Sequence, residues 1–195
     1  MSATSHEYQK SRQLLSRQSS LLVVVDVQEK LAPLIYETER LVANCVKLVQ
    51  CAKLFEVPAI ATEQYPQGLG PTLSCLAGYF PNRPEKLRFS CAEVLSWPTA
   101  GERDDNRFQV VLCGIEAHVC VLQTALDLLA AGYQVYLVAD ASSSRRQLDW
   151  QIAMQRIETA GAVVVTTESV LFEWCESAEV PEFKQFVAIV KPKSL

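Results

Sequence analysis

The sequence contains only two histidines, His6 and His118, in 195 residues. Its seven cysteines include no C-x-x-C pair, so the spacing favours neither a zinc cluster nor a thioredoxin-like motif. There is no apolar run of about 18 residues, the length needed for a membrane-spanning helix. Neither G-x-G-x-x-G nor G-x-x-x-x-G-K-[ST] occurs. We therefore expect no metal, no cofactor and no membrane partner.

Positive charge is also scarce. The 18 Lys and Arg residues stand against 22 Asp and Glu residues, which gives a formal net charge of −4. Proteins that follow a nucleic acid backbone normally carry a basic surplus, so a nucleic acid partner is disfavoured. The odd cysteine number and the lack of a secretory apolar segment predict free thiols in the cytoplasm. The Ser- and Arg-rich residues 1–20 leave a mitochondrial presequence as the alternative.

Apolar residues make up 49% of the chain, enough for one core. We interpret residues 1–20 as a loose tail or short surface helix, and residues 21–190 as a single domain. Val-rich runs predict strands at 21–25, 57–61, 133–139 and 162–165, and another from Val110 to the break at Gly114. Helical spacing predicts helices at 38–55, 121–129, 148–160 and 181–190, and another after Thr167. This alternation predicts an α/β fold with helices on both faces of a mostly parallel sheet.

Local details follow from the same patterns. Thr38 and Thr167 are expected to cap the helices that follow them, and Asp140 with the serines after it to cap the next helix. Residues 62–84, rich in Pro and Gly, are expected to form a long loop.

The best candidate nucleophile is Cys120. The run that starts at Val110 predicts a buried strand that breaks at Gly114 and feeds a helix, which places Cys120 in the first helical turn. There the free N–H groups and the helix dipole would stabilise a thiolate. The alternative is that Cys120 is simply a small buried hydrophobe.

A thiol nucleophile needs a base, and the histidines are poorly placed: His6 lies in the predicted tail and His118 only two residues from Cys120. Asp26 ends the first strand, where a carboxylate is either a cap or a site residue. A carboxylate can act as the base if a neighbouring ammonium holds it ionised. Lys86, in the loop region, is such a candidate, although a single lysine is usually solvated.

Five blocks of the sequence together carry a family resemblance. They are Val25-Asp26-Val27-Gln28, the stretch from Ala61 to Gly70, Lys86-Leu87-Arg88-Phe89-Ser90, the stretch from Cys113 to Cys120, and the stretch from Val138 to Arg145. In this order they resemble the isochorismatase-like (cysteine hydrolase) superfamily over roughly residues 20–172. They are most similar to its eukaryotic isochorismatase-domain subgroup, some members of which carry a mitochondrial-associated ribonuclease name.

The resemblance implies a three-layer α/β/α, Rossmann-like fold with a six-stranded parallel sheet, assembled as a dimer, tetramer or larger homo-oligomer. It implies a catalytic triad of Asp26, Lys86 and Cys120 and a cis peptide at Ile115–Glu116. The backbone N–H groups of Glu116 and Cys120 would form an oxyanion hole. The substrate-pocket candidates are Gln28, Gln64, Tyr65, Phe89 and His118. Each of these also has a structural alternative, as a core residue, a loop support or a helix cap.

This sequence also departs from family members. Metal-dependent nicotinamidases use an Asp-x-His motif, whereas Gln28 stands at that position here. Isochorismatases in the strict sense cleave a vinyl ether without needing a cysteine, so Cys120 favours hydrolysis of a C–N bond in a small amide or carbamoyl compound. Two alternatives stay open: a ribonuclease or RNA-associated protein, and a catalytically idle binding or assembly protein.

Overall fold

A computed structural model describes residues 10–191. Its strands are β1 (Ser20–Val25), β2 (Ala59–Gln64), β3 (Glu85–Lys86), β4 (Gln109–Ile115), β5 (Gln134–Ser143) and β6 (Val163–Val165). They form one sheet in the order β3-β2-β1-β4-β5-β6, and every neighbouring pair is parallel. The predicted six-stranded α/β fold is confirmed, and the sheet is entirely rather than mostly parallel.

Helices cover both faces of this sheet. They are α1 (Thr38–Leu54), α2 (Pro66–Leu69), α3 (Ser74–Ala77), α4 (Ala92–Leu95), α5 (Leu122–Ala130), α6 (Gln147–Thr159), α7 (Thr167–Cys175) and α8 (Phe183–Val190). On one face, Leu22 and Val24 of β1 share a core with α1, α7 and α8. On the other face, Val23 and Val25 share a core with α4, α5 and α6. The result is a three-layer α/β/α arrangement.

The central strand β1 explains where the site lies. All six of its residues are buried, because helices cover both faces and strands flank both edges. Parallel strands all end at the same edge of the sheet, so polar residues that follow different strands come together there. Asp26 directly follows β1 at this edge.

Several predicted boundaries were wrong. Strand β2 continues through Thr62, Glu63 and Gln64, and the predicted loop holds α2 and α3 and leads into β3. The polar residues of β2 lie within the sheet because each finds hydrogen-bond partners far away in the sequence. Strand β5 likewise extends to Ser143.

The expected caps also shifted. Thr38 and Thr167 are the first residues of α1 and α7 rather than their N-caps. The hydroxyl of Thr166 accepts a hydrogen bond from the Ser169 N–H. Asp140 accepts bonds from the N–H and hydroxyl of Thr167, so it supports α7 and not the next helix along the chain.

The described part of the predicted tail is packed rather than loose. The Leu15 side chain is fully buried, and its N–H donates to Glu173 of α7 at 2.7 Å. Gln109 at the start of β4 accepts from the Ser16 N–H at 2.8 Å. Residues 1–9, which include His6 and part of the possible presequence, lie outside the described residues. Between residues 10 and 191, no helix combines the length and the apolar character needed to cross a membrane.

Candidate active site

Asp26 and Lys86 form a buried ion pair at the carboxyl edge of the sheet. Lys86 Nζ donates to Asp26 Oδ2 at 2.7 Å, and both side chains are almost completely inaccessible to solvent. The ammonium also donates to Gln64 Oε1 at 2.7 Å and to the Phe89 carbonyl at 2.8 Å. Burial acts to lower the pKa of Lys86, but the charge of Asp26, its hydrogen bond, and the neighbouring Cys91 and Cys120 together outweigh burial, and the pKa is raised. Lys86 is therefore a charged, fully hydrogen-bonded group and not a solvated surface lysine.

Cys120 lies above the end of β4 in a π-helical turn, Ala117–Val121, that runs directly into α5. It is 6% exposed, and Thr124 Oγ1 donates to its carbonyl at 2.7 Å. Burial raises the pKa of the Cys120 thiol, and the charge of Asp26 and a hydrogen-bonding interaction with it raise the pKa further, while Lys86 lowers it. The expectation that the helix start favours a thiolate was wrong, because burial and the Asp26 carboxylate dominate. Cys120 rests as a thiol beside a carboxylate.

The turn before Cys120 requires a glycine. Gly114 has φ +120°, and a Cβ there would lie 2.2 Å from the carbonyl oxygen of Val25. The backbones of β1 and β4 thus approach closely at the end of the sheet, which brings Asp26 and Cys120 to the same place. The peptide bond between Ile115 and Glu116 is cis. Among residues 10–191, the Glu116 N–H donates no backbone hydrogen bond.

Two side chains of this turn bind the segment after β5. Glu116 Oε2 accepts from the backbone N–H and from Nε of Arg145, each at 3.0 Å. His118 Nδ1 lies 2.9 Å from the hydroxyl of Ser144. The serine-arginine segment at the end of β5 therefore fixes the turn that carries Cys120 from the side opposite Asp26. Sequence reasoning missed this role of Glu116 and Arg145, since the two residues are 29 positions apart.

The five predicted pocket residues divide into two groups. The Gln28 amide donates to the carbonyls of Gln64 and Gly70 and accepts from the Gln64 N–H, so its side chain supports the loop. Gln64 binds Lys86 and the Leu87 carbonyl. Tyr65 and Phe89 are each half exposed, and His118 is half buried. Of the five, only these last three present free side-chain surface near the edge of the sheet.

Three buried residues at the site were not singled out from the sequence. Thr62 Oγ1 donates to Asp26 Oδ1 at 2.7 Å and lies 3.3 Å from the Cys91 sulfur. Thr124 Oγ1 accepts from the Cys91 N–H at 2.9 Å. A threonine pointing at a strand-end carboxylate could have been found by assuming that β2 continues past Ala61.

The described residues were also compared with two other kinds of binding site, a metal site and an open groove. Within the described part of the chain, no group of three or more His, Cys, Asp or Glu side chains could hold a metal ion. A groove of 1090 Å³ lies between α1 and α8, lined by residues such as Val46, Lys47, Lys53 and Ile189. It shares no residue with the cluster around Asp26.

Comparison with known proteins agrees with this architecture. The family description "Isochorismatase domain" matches residues 100–169. The isochorismatase domain-containing protein 2 of Danio rerio is 40% identical over 171 residues, which span 88% of this chain and 86% of that protein. The MAR1 ribonuclease of Caenorhabditis elegans superposes with a TM-score of 0.83 at 34% identity, covering 93% of this chain and 94% of the other.

A more distant structure has the same fold. The YcaC gene product of Escherichia coli, described as an octameric hydrolase of unknown specificity, gives a TM-score of 0.81 at 24% identity over 93% of this chain and 92% of that one. The sheet order and the coverage of these matches define an isochorismatase-like α/β/α protein. The chain belongs to the isochorismatase family, which confirms the prediction from the five sequence blocks.

Proposed function

We propose that this protein is a cysteine hydrolase that cleaves the C–N bond of a small amide or carbamoyl compound. The observation that carries the proposal is that the Asp26 carboxylate, paired with the buried Lys86 ammonium, lies near enough to the Cys120 thiol to raise its pKa. A base beside the thiol can remove its proton as the sulfur attacks, so no preformed thiolate is needed.

The reaction follows from this arrangement. Asp26 accepts the Cys120 proton while Sγ forms a bond to the carbonyl carbon, and the N–H groups of Glu116 and Cys120 bind the developing oxyanion. The C–N bond then breaks, and the leaving nitrogen takes the proton from Asp26. Water, deprotonated by Asp26, attacks the thioester, releases the acid and returns the proton to Cys120. Lys86 holds the Asp26 carboxylate in position throughout, and Tyr65, Phe89 and His118 line the pocket.

A screen of small amides and carbamoyl compounds tests the proposal. We expect release of ammonia or amine by the wild type and a loss of at least about 10³-fold in Cys120→Ala, since removing a nucleophile from such a triad abolishes the covalent route. Cys75→Ala, at an exposed cysteine of α3, is the matched control and should keep wild-type activity. Acid-quenched enzyme should carry an acyl mass on Cys120. Full activity in Cys120→Ala would overturn the nucleophile assignment.

A ribonuclease is the second candidate, because a relative that is 34% identical is named as a MAR1 ribonuclease. The acidic balance of the chain argues against it. RNA cleavage that disappears in purified Cys120→Ala, with no turnover of any amide, would favour it. Absence of both activities, with a Cys120 no more reactive than the other thiols, would favour an idle binding protein.

We also propose that the chain forms a homo-oligomer. Helix α6 exposes Leu148 and Ile152, which are 66% and 55% accessible in the single chain. Burial of such a face against a second copy would remove apolar surface from water. Light scattering coupled to size exclusion should give a mass of at least twice 21.7 kDa, and a monomer at micromolar concentration would contradict the proposal.

A further inference from the structure

Both oxygens of the Asp26 carboxylate receive a hydrogen bond inside the protein. Lys86 donates to Oδ2 and Thr62 donates to Oδ1, each at 2.7 Å. Thr62 is fully buried on β2, and the parallel register pairs it with Val25, the residue before Asp26. The strand pairing therefore sets the distance between the threonine hydroxyl and the carboxylate.

A second thiol lies behind Thr62. The Cys91 sulfur is 3.3 Å from Thr62 Oγ1, and Cys91 is fully buried. A hydroxyl has one proton to donate, and an ionised carboxylate can only accept. The Thr62 proton is committed to Asp26, so the proton between sulfur and hydroxyl must come from Cys91. Burial and the charge of Asp26 raise the pKa of Cys91 to about 11, so this thiol keeps its proton at neutral pH.

The same cysteine is tied to the catalytic turn through its backbone. The Cys91 N–H donates to Thr124 Oγ1 at 2.9 Å, and Thr124 Oγ1 donates to the Cys120 carbonyl at 2.7 Å. Cys91 thus contacts both Thr62, which binds the Asp26 carboxylate, and Thr124, which binds the Cys120 carbonyl. The groups that face Asp26 from the surrounding elements are Lys86 of β3, Thr62 of β2, Cys91 before α4 and Cys120 before α5.

We propose that Thr62 and Cys91 are positioning residues that act through Asp26. They form a hydrogen-bonded chain with one direction, from the Cys91 thiol to the Thr62 hydroxyl to Asp26 Oδ1. This chain holds the carboxylate in one orientation, stabilises its negative charge and leaves its remaining lone pairs for the Cys120 proton. The inference rests on the proposed cysteine hydrolase function and adds two residues that do not touch the substrate.

The test uses an isosteric pair at position 62. Thr62→Val removes the hydroxyl and keeps the shape, whereas Thr62→Ser keeps the hydroxyl. We expect kcat to fall about 10- to 100-fold in Thr62→Val with KM changed little, as expected for misplaced catalytic groups. The acidic limb of the kcat/KM pH profile should move up by about one pH unit, because the carboxylate loses one donor. Thr62→Ser should recover most of both losses.

Position 91 provides a second, independent pair. Cys91→Ala should shift the pH profile in the same direction as Thr62→Val but less, and Cys91→Ser should reverse the shift because its hydroxyl can also donate. A profile in Thr62→Val that matches the wild type would overturn the proposal. An equal loss in Thr62→Ser and Thr62→Val would do the same, because it would show a packing effect alone.

A measurement without substrate separates this inference from the proposed function. This measurement is the pH dependence of Cys120 alkylation by iodoacetamide in a Cys75→Ser background. It depends on the charge of the same carboxylate, Asp26. We expect Thr62→Val to move that profile to higher pH, since the Asp26 charge is then less neutralised. If the alkylation profile moves and no amide is hydrolysed, the positioning role of Thr62 and Cys91 is supported and the proposed function fails. If amides are hydrolysed and neither profile moves, the function stands and the chain fails.

Discussion

Asp26 and Lys86, which carry opposite charges, have opposite effects on the pKa of the Cys120 thiol. Asp26 raises the pKa of Cys120 and Lys86 lowers it, while burial makes the largest contribution. Asp26→Asn should therefore move the pH profile of Cys120 alkylation to lower pH, although it removes the proposed base and abolishes amide hydrolysis. The profile should stay above that of a free cysteine because burial remains.

The control is again the Cys75→Ser background, which removes the exposed thiol. Iodoacetamide labelling followed by mass spectrometry of the Cys120 peptide gives the rate at each pH. A shift to higher pH in Asp26→Asn would mean that the carboxylate does not interact with the thiol in the way described.

Gly114 permits the close approach of β1 and β4. A methyl group at this position would meet the Val25 backbone at 2.2 Å and force an L residue to φ +120°. Gly114→Ala should lower the free energy of unfolding by more than about 3 kcal/mol, measured by urea denaturation. Gly78→Ala is the matched control, because nothing lies within 4 Å of its added Cβ and φ is −64°. A loss below about 1 kcal/mol in Gly114→Ala would contradict the crowding argument.

At the scale of elements, the segment between β2 and β3 depends on one buried carboxylate. Glu63 Oε1 accepts from the N–H and hydroxyl of Thr72, each at 2.8 Å, and from Arg83 Nε at 2.9 Å. Burial acts to raise the pKa of Glu63, but these donors prevail and the pKa is lowered. The carboxylate fixes the loop that leads to Lys86 by holding Thr72 within the loop and Arg83 near its end.

The sign of the pH effect follows from this shift. A group whose pKa is lowered in the folded state stabilises the protein above its unfolded pKa, about 4.3 for glutamate, and this contribution disappears as the pH falls. Glu63→Gln should therefore lower the free energy of unfolding most near pH 7, and the difference from the wild type should shrink below about pH 4. Urea denaturation at both pH values measures it, with the exposed Glu85→Gln as control. A difference independent of pH would show that ionisation of Glu63 does not matter.

The elements show how much the sequence could predict. The apolar runs of β1 and β4 and the glycine break led to the correct positions of Asp26 and Cys120 at one edge. The same reasoning ended β2 at Ala61, because Thr62, Glu63 and Gln64 are polar and periodicity alone assigns such residues to loops. Their partners lie 9 to 36 residues away, so only the folded chain shows how they are satisfied. Lys86 was a candidate from its place in the loop, and the resemblance then assigned it to the triad. The strand that holds it was not predicted, since β3 has only two residues.

At the scale of the whole molecule, the segment before β1 packs against the amino edge of the sheet. Leu15 is fully buried, while the neighbouring Leu14 is 39% exposed. Leu15→Ala should destabilise the protein by about 2–5 kcal/mol, the usual range for a buried leucine. Leu14→Ala should cost less than about 1 kcal/mol. Thermal and urea unfolding of the two variants measure the difference, and equal small losses would show that the segment is not part of the folding unit.

The ion pair near Cys120 has a consequence for how the proposed reaction responds to salt. Before the proposed reaction the charges of Asp26 and Lys86 cancel and Cys120 is neutral. After the proton has moved from sulfur to Asp26, the charge of Lys86 is balanced by the oxyanion, so the total charge of the site is still zero. The proton stays inside one buried cluster, where dissolved ions screen little. The acylation of a neutral amide should thus proceed at nearly the same rate in dilute buffer and in concentrated salt.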